Sequence, residues 1–397
     1  MPIFRFSFLP KLFTALLVVL SFASVGQTLS VKKLINQARG SHEHFGSSIA
    51  VEGNIAVIGS KFHTDSFPYS GRAFVYILDA MGNWNQFQTL YPSLEVWNGG
   101  FGNQVAINNG TIVIHNGAQD PHVFVFEFQG TGWVETQMLS SSIATTTGLN
   151  DLEIRGDWMV MGGCCNVEVY HKTGTTWSSS QVITVPNNTV NTQFGSSVDF
   201  YGNNMVIGET DWVDTVTIKD RVGAANLYTL DTSTLQWNYQ TTFTAAGIDT
   251  AALFGSSCAM WGYIVAVGAP YAEALVGPGW RSPGNGYVYL FEINGNTVTE
   301  LQTITPHDGM QMDYFSVFIE MNSHGDILVG SHLSNLDSAS QGFLNDAGAV
   351  YFYRRNALGS WSFTEKLAAP DRQQDDSFGW DVAFHNEGLL VGAIFED

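Results

Sequence analysis

A short motif repeats along the whole sequence: Phe-Gly is followed about a dozen residues later by Val-Gly or Ile-Gly. The seven copies begin at Phe45, Phe101, Gly148, Phe194, Phe254, Phe315 and Phe378. The copies at 101 and 315 are weaker, and the copy at 148 is degenerate. Successive copies start 46 to 63 residues apart, and such a period is typical of a stack or ring of similar units. The motif therefore constrains the fold strongly, but it constrains function weakly because one repeated scaffold hosts many activities.

Each unit carries the signals of four short β-strands. In the first unit, Ser47–Glu52 alternates apolar and polar residues, as a half-buried strand does. Gly53-Asn54 is typical of a two-residue hairpin turn, and Ile55–Ile58 is a continuous apolar strand suited to burial on both faces. Two more strands are predicted over Arg72–Leu78 and Trp84–Tyr91. One unit is therefore predicted to be a four-stranded antiparallel sheet.

Seven such units predict an all-β chain that forms a seven-bladed β-propeller of four-stranded antiparallel blades. The leading tryptophan of the fourth strand recurs at Trp133, Trp177, Trp237 and Trp361. A linear β-solenoid is the alternative, but it has shorter rungs and no four-strand hairpin pattern. We expect the repeated Phe to pack between blades and the Gly after it to let another backbone pass close by.

The two chain ends are predicted to complete one blade. The last unit has strands at Trp380–Phe384 and Leu389–Ile394, and the sequence shows no third strand after them. Ser30–Ile35, before the first motif, resembles the fourth strand Phe363–Ala368 of the preceding unit. The last blade is therefore predicted to be incomplete and to be closed by the N-terminal strand, which removes exposed sheet edges.

The first residues have the pattern of a secretory signal peptide. Arg5 and Lys11 precede an apolar run over Leu12–Ala23, and small residues follow. We therefore predict a signal peptide over residues 1–26 and a single propeller domain over residues 27–397, which places the protein outside the cell or on its surface. A buried N-terminal strand or helix is the alternative. The apolar run is too short to span a bilayer, which takes about 20 residues, so no membrane insertion of the mature chain is expected.

Charge and cysteine content exclude several classes of protein. The net charge is −20, which argues against nucleic-acid partners because these require clustered Lys and Arg. Three cysteines, Cys164, Cys165 and Cys258, are too few for a disulfide framework. Cys164 and Cys165 are adjacent on a predicted inner strand, where two free thiols or a vicinal disulfide are both compatible with the sequence.

The repeats resemble those of FG-GAP proteins, the bacterial and eukaryotic propeller family that includes the integrin α head. The name motif is matched by Phe254-Gly255 with Val267-Gly268-Ala269-Pro270, and the resemblance covers residues 30–397. It implies an extracellular propeller of the bacterial secreted type, used for adhesion or ligand binding. Integrin-type repeats carry a calcium loop between strands one and two. Here those connections are short hairpins without the spaced oxygen ligands that calcium needs, so neither a metal nor a cofactor is predicted.

Residues with catalytic potential form no known active-site motif, so no catalytic residue is predicted. Glycosidase chemistry by two distant carboxylates remains an alternative that spacing alone does not settle. Arg155-Gly156-Asp157 spells a tripeptide that integrins bind, but it occupies a hairpin position where a turn explains it. His42-Glu43-His44 is the one tight histidine cluster in the sequence, and it has the character of a solvated loop.

Long loops on one rim are the predicted binding site. The connections between strands two and three are long in units four, five and six, and long loops on a rigid scaffold commonly carry function. The candidate ligand-binding residues, on these loops and on the blade-to-blade loop of unit one, are Trp97, Trp212, Asp214, Glu273, Trp280 and Asp337. Tryptophans beside carboxylates suit sugars or protein hot spots, although they could instead shield apolar surface.

Three functions follow from this interpretation. The first is a binding or adhesion module that recognises an extracellular protein or glycan. The second is a polysaccharide hydrolase or lyase, which an acid pair across the central channel would favour. The third is a structural repeat region within a larger surface protein.

Overall fold

The computed structural model describes residues 16–21, 31–34, 43–64, 67–117, 121–141, 151–163, 165–186, 193–214, 219–272, 284–310, 312–385 and 388–395. These residues form 28 β-strands arranged in four-stranded antiparallel sheets. Within them, no helix is long and apolar enough to cross a membrane.

Six blades each consist of four consecutive strands. The first three contain β3 (Phe45–Glu52), β4 (Ile55–Ser60), β5 (Arg72–Leu78) and β6 (Trp84–Leu90); β7 (Phe101–Asn108), β8 (Thr111–Asn116), β9 (His122–Phe128) and β10 (Trp133–Ser140); and β11 (Leu152–Arg155), β12 (Trp158–Gly162), β13 (Asn166–Thr173) and β14 (Thr176–Thr184). The next three contain β15 (Phe194–Tyr201), β16 (Asn204–Glu209), β17 (Ala224–Asp231) and β18 (Gln236–Phe243); β19 (Cys258–Trp261), β20 (Ile264–Ala269), β21 (Tyr287–Asn294) and β22 (Thr297–Ile304); and β23 (Phe318–Met321), β24 (Ile327–Ser331), β25 (Ala349–Arg355) and β26 (Trp361–Leu367).

A further sheet joins the two chain ends. It contains β27 (Phe378–His385), β28 (Gly388–Ala393), β1 (Leu16–Ser21) and β2 (Val31–Leu34), in the spatial order β2-β1-β28-β27. The N-terminal strand β2 takes the outer position, as predicted. The prediction that this sheet has no third strand is corrected, because β1 pairs with β28 along six residues.

The propeller with four-stranded antiparallel blades is therefore confirmed, and six blades are complete within one stretch of chain. The count of seven is not confirmed, because the remaining sheet takes its third strand from the apolar segment that is predicted to be a signal peptide.

The motif explains how neighbouring blades touch. The glycine of Phe-Gly has a φ near +90°, for example 93° at Gly195 and 94° at Gly255, and this left-handed region favours glycine. Its carbonyl oxygen lies against the Val-Gly or Ile-Gly glycine of the preceding blade, so closely that a Cβ there would overlap the backbone. The contacting pairs are Gly59 with Gly102, Gly162 with Gly195, Gly208 with Gly255, Gly330 with Gly379, and Gly392 with Gly46; Gly268 meets Ser316 in the same way.

The motif phenylalanines pack between blades, which confirms the prediction. Phe45, Phe194, Phe254, Phe315 and Phe378 are all fully buried, and Phe101 is nearly so. Phe254, for example, belongs to one apolar cluster with Val206 of the fourth blade and Val265 of the fifth. Because a blade cannot cover both of its faces, the core of the protein consists of these clusters between neighbours.

The connections between first and second strands are tight hairpins. Gly53 and Gly156, for example, lie in two-residue turns with φ near +60°. Arg155-Gly156-Asp157 occupies such a turn, as predicted. Cys165 lies between β12 and β13 rather than on an inner strand. Cys258 is a buried free thiol, and Cys164 lies outside the described residues.

Calcium is not expected to stabilise the protein, because these hairpins do not supply six to eight spaced oxygen ligands. The melting temperature measured in millimolar calcium should agree with that in chelator within error. A rise of many degrees with calcium would contradict the prediction, since a ligand that binds only the folded state stabilises it by mass action.

Candidate functional site

A cavity of about 870 Å³ lies where the first strands of the blades meet. Its lining includes seven carboxyl groups, and five of them occupy the third or fifth position after the start of a motif. Alternate positions of a strand share one face, which explains why acids at these spacings reach the same channel. These channel carboxyls are Asp151, Glu153, Asp199, Glu320 and Asp381.

Three channel carboxyls hold neighbouring first strands together. The Val198 N–H donates to Asp151 Oδ2 at 2.8 Å, and the Met260 N–H donates to Asp199 Oδ2 at 2.6 Å. In the same way the Ile49 N–H donates to Asp381 Oδ2 at 2.7 Å. Each bond crosses from one blade to the next, so these aspartates have a structural role in closing the ring.

The remaining two channel carboxyls, Glu153 and Glu320, have no hydrogen-bond partner among the described residues. They lie on the third and sixth blades, so they approach the channel from different sides. The charge of Arg155 acts on both of them, while its Nη2 lies 3.0 Å from Asp199 Oδ1. One guanidinium therefore serves several carboxyl groups.

The channel raises the pKa of its acids. Burial raises the pKa of Glu320 to about 8, and the charge of Asp199 adds to this effect while Arg155 opposes it. Burial likewise raises the pKa of Asp381 to about 7 and that of Asp151 to about 6. The pKa of Glu153 lies well above its ordinary value, first through burial and then through Asp199. The empty channel therefore holds protons near neutral pH.

The protein should consequently lose stability as pH rises from about 4 to about 8. Over this window the folded state binds more protons than the unfolded state, so the free energy of unfolding falls by up to about 1.4 kcal/mol per pH unit for each such group. Glu320→Gln should weaken this dependence, and the comparison is the melting temperature at pH 5 and pH 8. Glu292→Gln, on the exposed face of β21, removes the same charge and serves as control. Identical pH profiles for the two variants would contradict the prediction.

The channel opens on the rim that carries the long loops. There, loops between strands two and three contact the blade-to-blade loops: the Asn98 N–H donates to the Pro68 carbonyl, and the Ala251 N–H donates to the Asp220 carbonyl. Both loop classes also contribute to the channel lining, through Tyr271 and Tyr314 for example. The structure thus confirms that these two kinds of loop share one rim.

An arc of four partly exposed rings lines the mouth of the channel. These mouth aromatics are Tyr271, Tyr314, His332 and Trp380, with centroid distances of 4.8, 6.1 and 5.0 Å between successive members. Burial lowers the pKa of His332 to about 4, so its ring is neutral at physiological pH. Lys61 Nζ lies 5.9 Å from the Trp380 ring. The mouth therefore offers flat apolar faces beside polar groups.

Two buried polar groups in the same cavity lack a protein partner. Ser47 is 5% exposed and Asn103 is 7% exposed, and both line the cavity. Neither Ser47 Oγ nor Asn103 Nδ2 makes a hydrogen bond within the described part of the chain. Since buried polar groups normally find partners, these two are exceptions within the described part of the chain.

The predicted rim residues lie further out. Trp97 is 70% exposed, and Trp212 and Asp214 are partly buried in the β16–β17 loop. Asp337 accepts backbone N–H groups of Ala339, Gln341 and Gly342, so it shapes its own loop. None of these four lines the channel. The other two predicted residues, Glu273 and Trp280, lie outside the described residues.

Histidine and metal chemistry receive no support from the geometry. Glu43 of the histidine cluster is buried, and its Oε2 lies 2.8 Å from His63 Nδ1, so it belongs to the interior rather than to a solvated loop. His42 lies outside the described residues. In the portion of the chain that the structure describes, no group of three His, Cys, Asp or Glu side chains could hold a metal ion.

Solved structures with this fold include enzymes. A candidate 6-phosphogluconolactonase from Bacteroides uniformis is 12% identical, with a TM-score of 0.57 over 90% of this chain and 98% of that one. A periplasmic gluconolactonase from Pseudomonas aeruginosa is 11% identical, with a TM-score of 0.55 over 96% of this chain and 99% of that one. At these identities the likeness shows the fold alone. Among curated proteins, none matches this sequence significantly.

The family model described as FG-GAP repeat matches residues 29–76 and 361–397, the two regions that meet where the ring closes. Between them, the glycine contacts and buried phenylalanines of the same motif recur from blade to blade. The chain therefore carries FG-GAP repeats in these two regions and has the fold of a β-propeller.

Proposed function

We propose that this protein is a secreted or surface-displayed binding module that holds a saccharide at the mouth of its central channel. The observation that carries the proposal is the arc of mouth aromatics above a cavity with unpartnered polar groups. Aromatic faces stack on the apolar C–H faces of sugar rings, and polar groups below them can meet the hydroxyls. A cavity of about 870 Å³ has the size of a small-molecule site.

The outer rim extends this site in the proposal. The rim residues would contact the parts of a longer glycan, or of a glycosylated protein, that lie beyond the channel. They are Trp97, Trp212, Asp214 and Asp337, together with Glu273 and Trp280, which the sequence alone assigns to the rim. The proposal takes the mature chain to start after residue 26 and to form a ring of seven blades, in which β2 closes the last blade. It assigns the protein no catalytic activity.

Removing a mouth aromatic should weaken binding strongly. Tyr271→Ala or Trp380→Ala should reduce the affinity for a saccharide identified on a glycan array by about thirtyfold, because a central aromatic contributes roughly 2 kcal/mol or more. Isothermal titration calorimetry gives the affinity, and the melting temperature of each variant reports on folding.

The matched control is Tyr263→Ala, because Tyr263 is 67% exposed in the β19–β20 hairpin on the opposite rim. If this control loses binding while both mouth variants retain it, the binding face has been assigned wrongly. If neither mouth variant folds, Trp97→Ala and Trp212→Ala test the outer part of the same site.

A second function, acid–base hydrolysis, is favoured by one observation. Glu153 and Glu320 enter the channel from different blades, and burial keeps the pKa of Glu320 near 8, as suits a general acid. The two solved structures named as lactonases share this fold, but at low identity they add no chemistry. Turnover of a bound sugar or lactone that Glu320→Gln abolishes without loss of binding would establish this function in place of simple binding.

A further inference from the structure

The interior of the channel carries more acid than the rest of the site can balance. Of the basic groups in the lining, Arg155 is bound to Asp199, and Lys61 and Arg221 lie towards the mouth. Arg221 Nε is also 2.9 Å from Asp211 Oδ1. None of these basic groups makes an ion pair with Glu153 or Glu320 among the described residues, so both glutamates face the cavity without a direct partner.

We propose that the preferred ligand carries a primary ammonium group that enters the channel and binds Glu153 and Glu320, which makes it an amino sugar with a free amine rather than a neutral or N-acetylated sugar. This inference rests on the proposed saccharide function of the same site. It specifies the chemical class of the ligand and the end of the ligand that enters first.

Charge and hydrogen-bonding capacity both support this class. An ammonium group supplies three donors and a positive charge, which two unpartnered carboxylates can accept. Ser47 and Asn103 line the same cavity and add polar side chains to its wall. The chain's net charge of −20 also concentrates cations near an acidic cleft. A bare metal ion fits less well, because no group of three potential ligands converges among the described residues.

Proton balance makes the inference measurable. Burial is the main reason that Glu320 retains its proton, because it raises the pKa of this carboxyl group; the charges of Asp199, Asp381 and Asp151 add to the effect and Arg155 opposes it. Glu153 faces Asp199, Arg155, Asp151 and Glu320. When an ammonium group binds, it stabilises the carboxylate form, and the carboxyl proton passes to solvent. Binding of the amine should therefore release protons, whereas binding of a neutral sugar should not.

The experiment compares three β-1,4-linked trisaccharides that differ only in the group on carbon 2 of each ring. They are the trimers of glucosamine, N-acetylglucosamine and glucose. Titration calorimetry at about pH 7, in two buffers of different ionisation enthalpy, measures both affinity and proton release. The free amine should bind at least tenfold more tightly than the other two, with proton release for the amine alone. Glu153→Gln/Glu320→Gln should remove this advantage, so that the glucosamine and glucose trimers bind with similar affinity and without proton release. Glu292→Gln is the control.

The outcomes separate the two proposals. If all three sugars bind equally, the ammonium inference is wrong and the saccharide function stands. Spermidine, an amine without a sugar, is titrated in the same way as a fourth ligand. If it binds as tightly as the glucosamine trimer while the neutral sugars do not bind, the ammonium inference holds and the saccharide function is wrong. If none of these ligands binds, both are wrong. The neutral glutamine variant should fold well, because the buried glutamates already favour their protonated forms.

Discussion

Gly208→Ala should lower the free energy of unfolding by about 3 kcal/mol or prevent folding altogether. Gly208 ends the Val206-Ile207-Gly208 segment of β16, and a Cβ added there would overlap the carbonyl oxygen of Gly255 in the next blade. It would also lie 2.6 Å from Ser197 Oγ. Both neighbours belong to buried strands or turns that cannot move apart without opening the interface between blades. Overpacking in a rigid core costs about 1–3 kcal/mol, and a clash with backbone falls at the upper end.

Gly117→Ala is the matched control for this substitution. Gly117 is exposed, its φ is not in the left-handed region, and an added Cβ would make an ordinary 3.4 Å contact with Asn103. Chemical denaturation of both variants gives the comparison. Equal stability of Gly208→Ala and Gly117→Ala would mean that the glycine contact between blades is not what the motif preserves.

The contact between glycines of neighbouring blades also explains the interface at which both contacting positions depart from the motif. His115 stands in the second unit where other units have the Val-Gly glycine, and its side chain is fully buried. The next unit is the degenerate one, whose motif begins at Gly148-Leu149 instead of Phe-Gly. The apolar cluster between these two blades accordingly contains no motif phenylalanine. The second unit therefore lacks the Val-Gly glycine, and the third unit lacks the Phe-Gly glycine that would contact it. Both changes fall at the same interface between blades.

The sequence correctly predicted those features of the fold that follow from the local repeat pattern. Strand positions, hairpins and the Phe between blades all follow from a repeat in which each unit contacts similar neighbours. The sequence analysis missed an equally regular interaction, in which a glutamine side chain of one fourth strand makes two hydrogen bonds to the backbone of the fourth strand in the next blade. Gln88 Oε1 accepts the N–H of Trp133 and its Nε2 donates to the Trp133 carbonyl, and Gln137 does the same with Trp177. In both units the Gln follows a leading tryptophan by four residues, so the spacing Trp-x-x-x-Gln could have indicated it.

The residues of the channel site were not predicted from the sequence. The loop rim was identified from loop length, but the channel acids were not, although Asp199 and Glu320 share the fifth position after their motif phenylalanines. Placing that position in the channel requires knowing which strand is innermost and which of its faces turns inward. The third strand of the last sheet could not be predicted, because an apolar segment before a small-residue site has the same composition as a strand buried on both faces.

Lys366→Met should destabilise the protein by about 3–5 kcal/mol, because it leaves a buried carboxylate without its cation. Lys366 on β26 is 1% exposed, and its Nζ lies 2.7 Å from Oδ2 of Asp308, which is 8% exposed. Ser340 Oγ and the Tyr351 hydroxyl donate to the same carboxylate at 2.6 and 2.8 Å. Burial alone would raise the pKa of Asp308, but these hydrogen bonds and the Lys366 charge hold it below its ordinary value. The stability that this carboxylate contributes should therefore be lost when pH falls through that lowered pKa.

Removing both charges separates the value of the ion pair from the cost of an isolated charge. Lys366→Met/Asp308→Asn should recover part of the stability that Lys366→Met loses, because no unpaired charge stays buried. Arg221→Met provides the exposed comparison: Arg221 Nε lies 2.9 Å from Asp211 Oδ1, yet the arginine side chain is 53% exposed, and such a pair contributes about 0–1 kcal/mol. Urea denaturation of the three variants decides the matter. If Lys366→Met costs no more than Arg221→Met, the carboxylate of Asp308 is already satisfied by Ser340 and Tyr351, and the lysine fills space rather than neutralising charge.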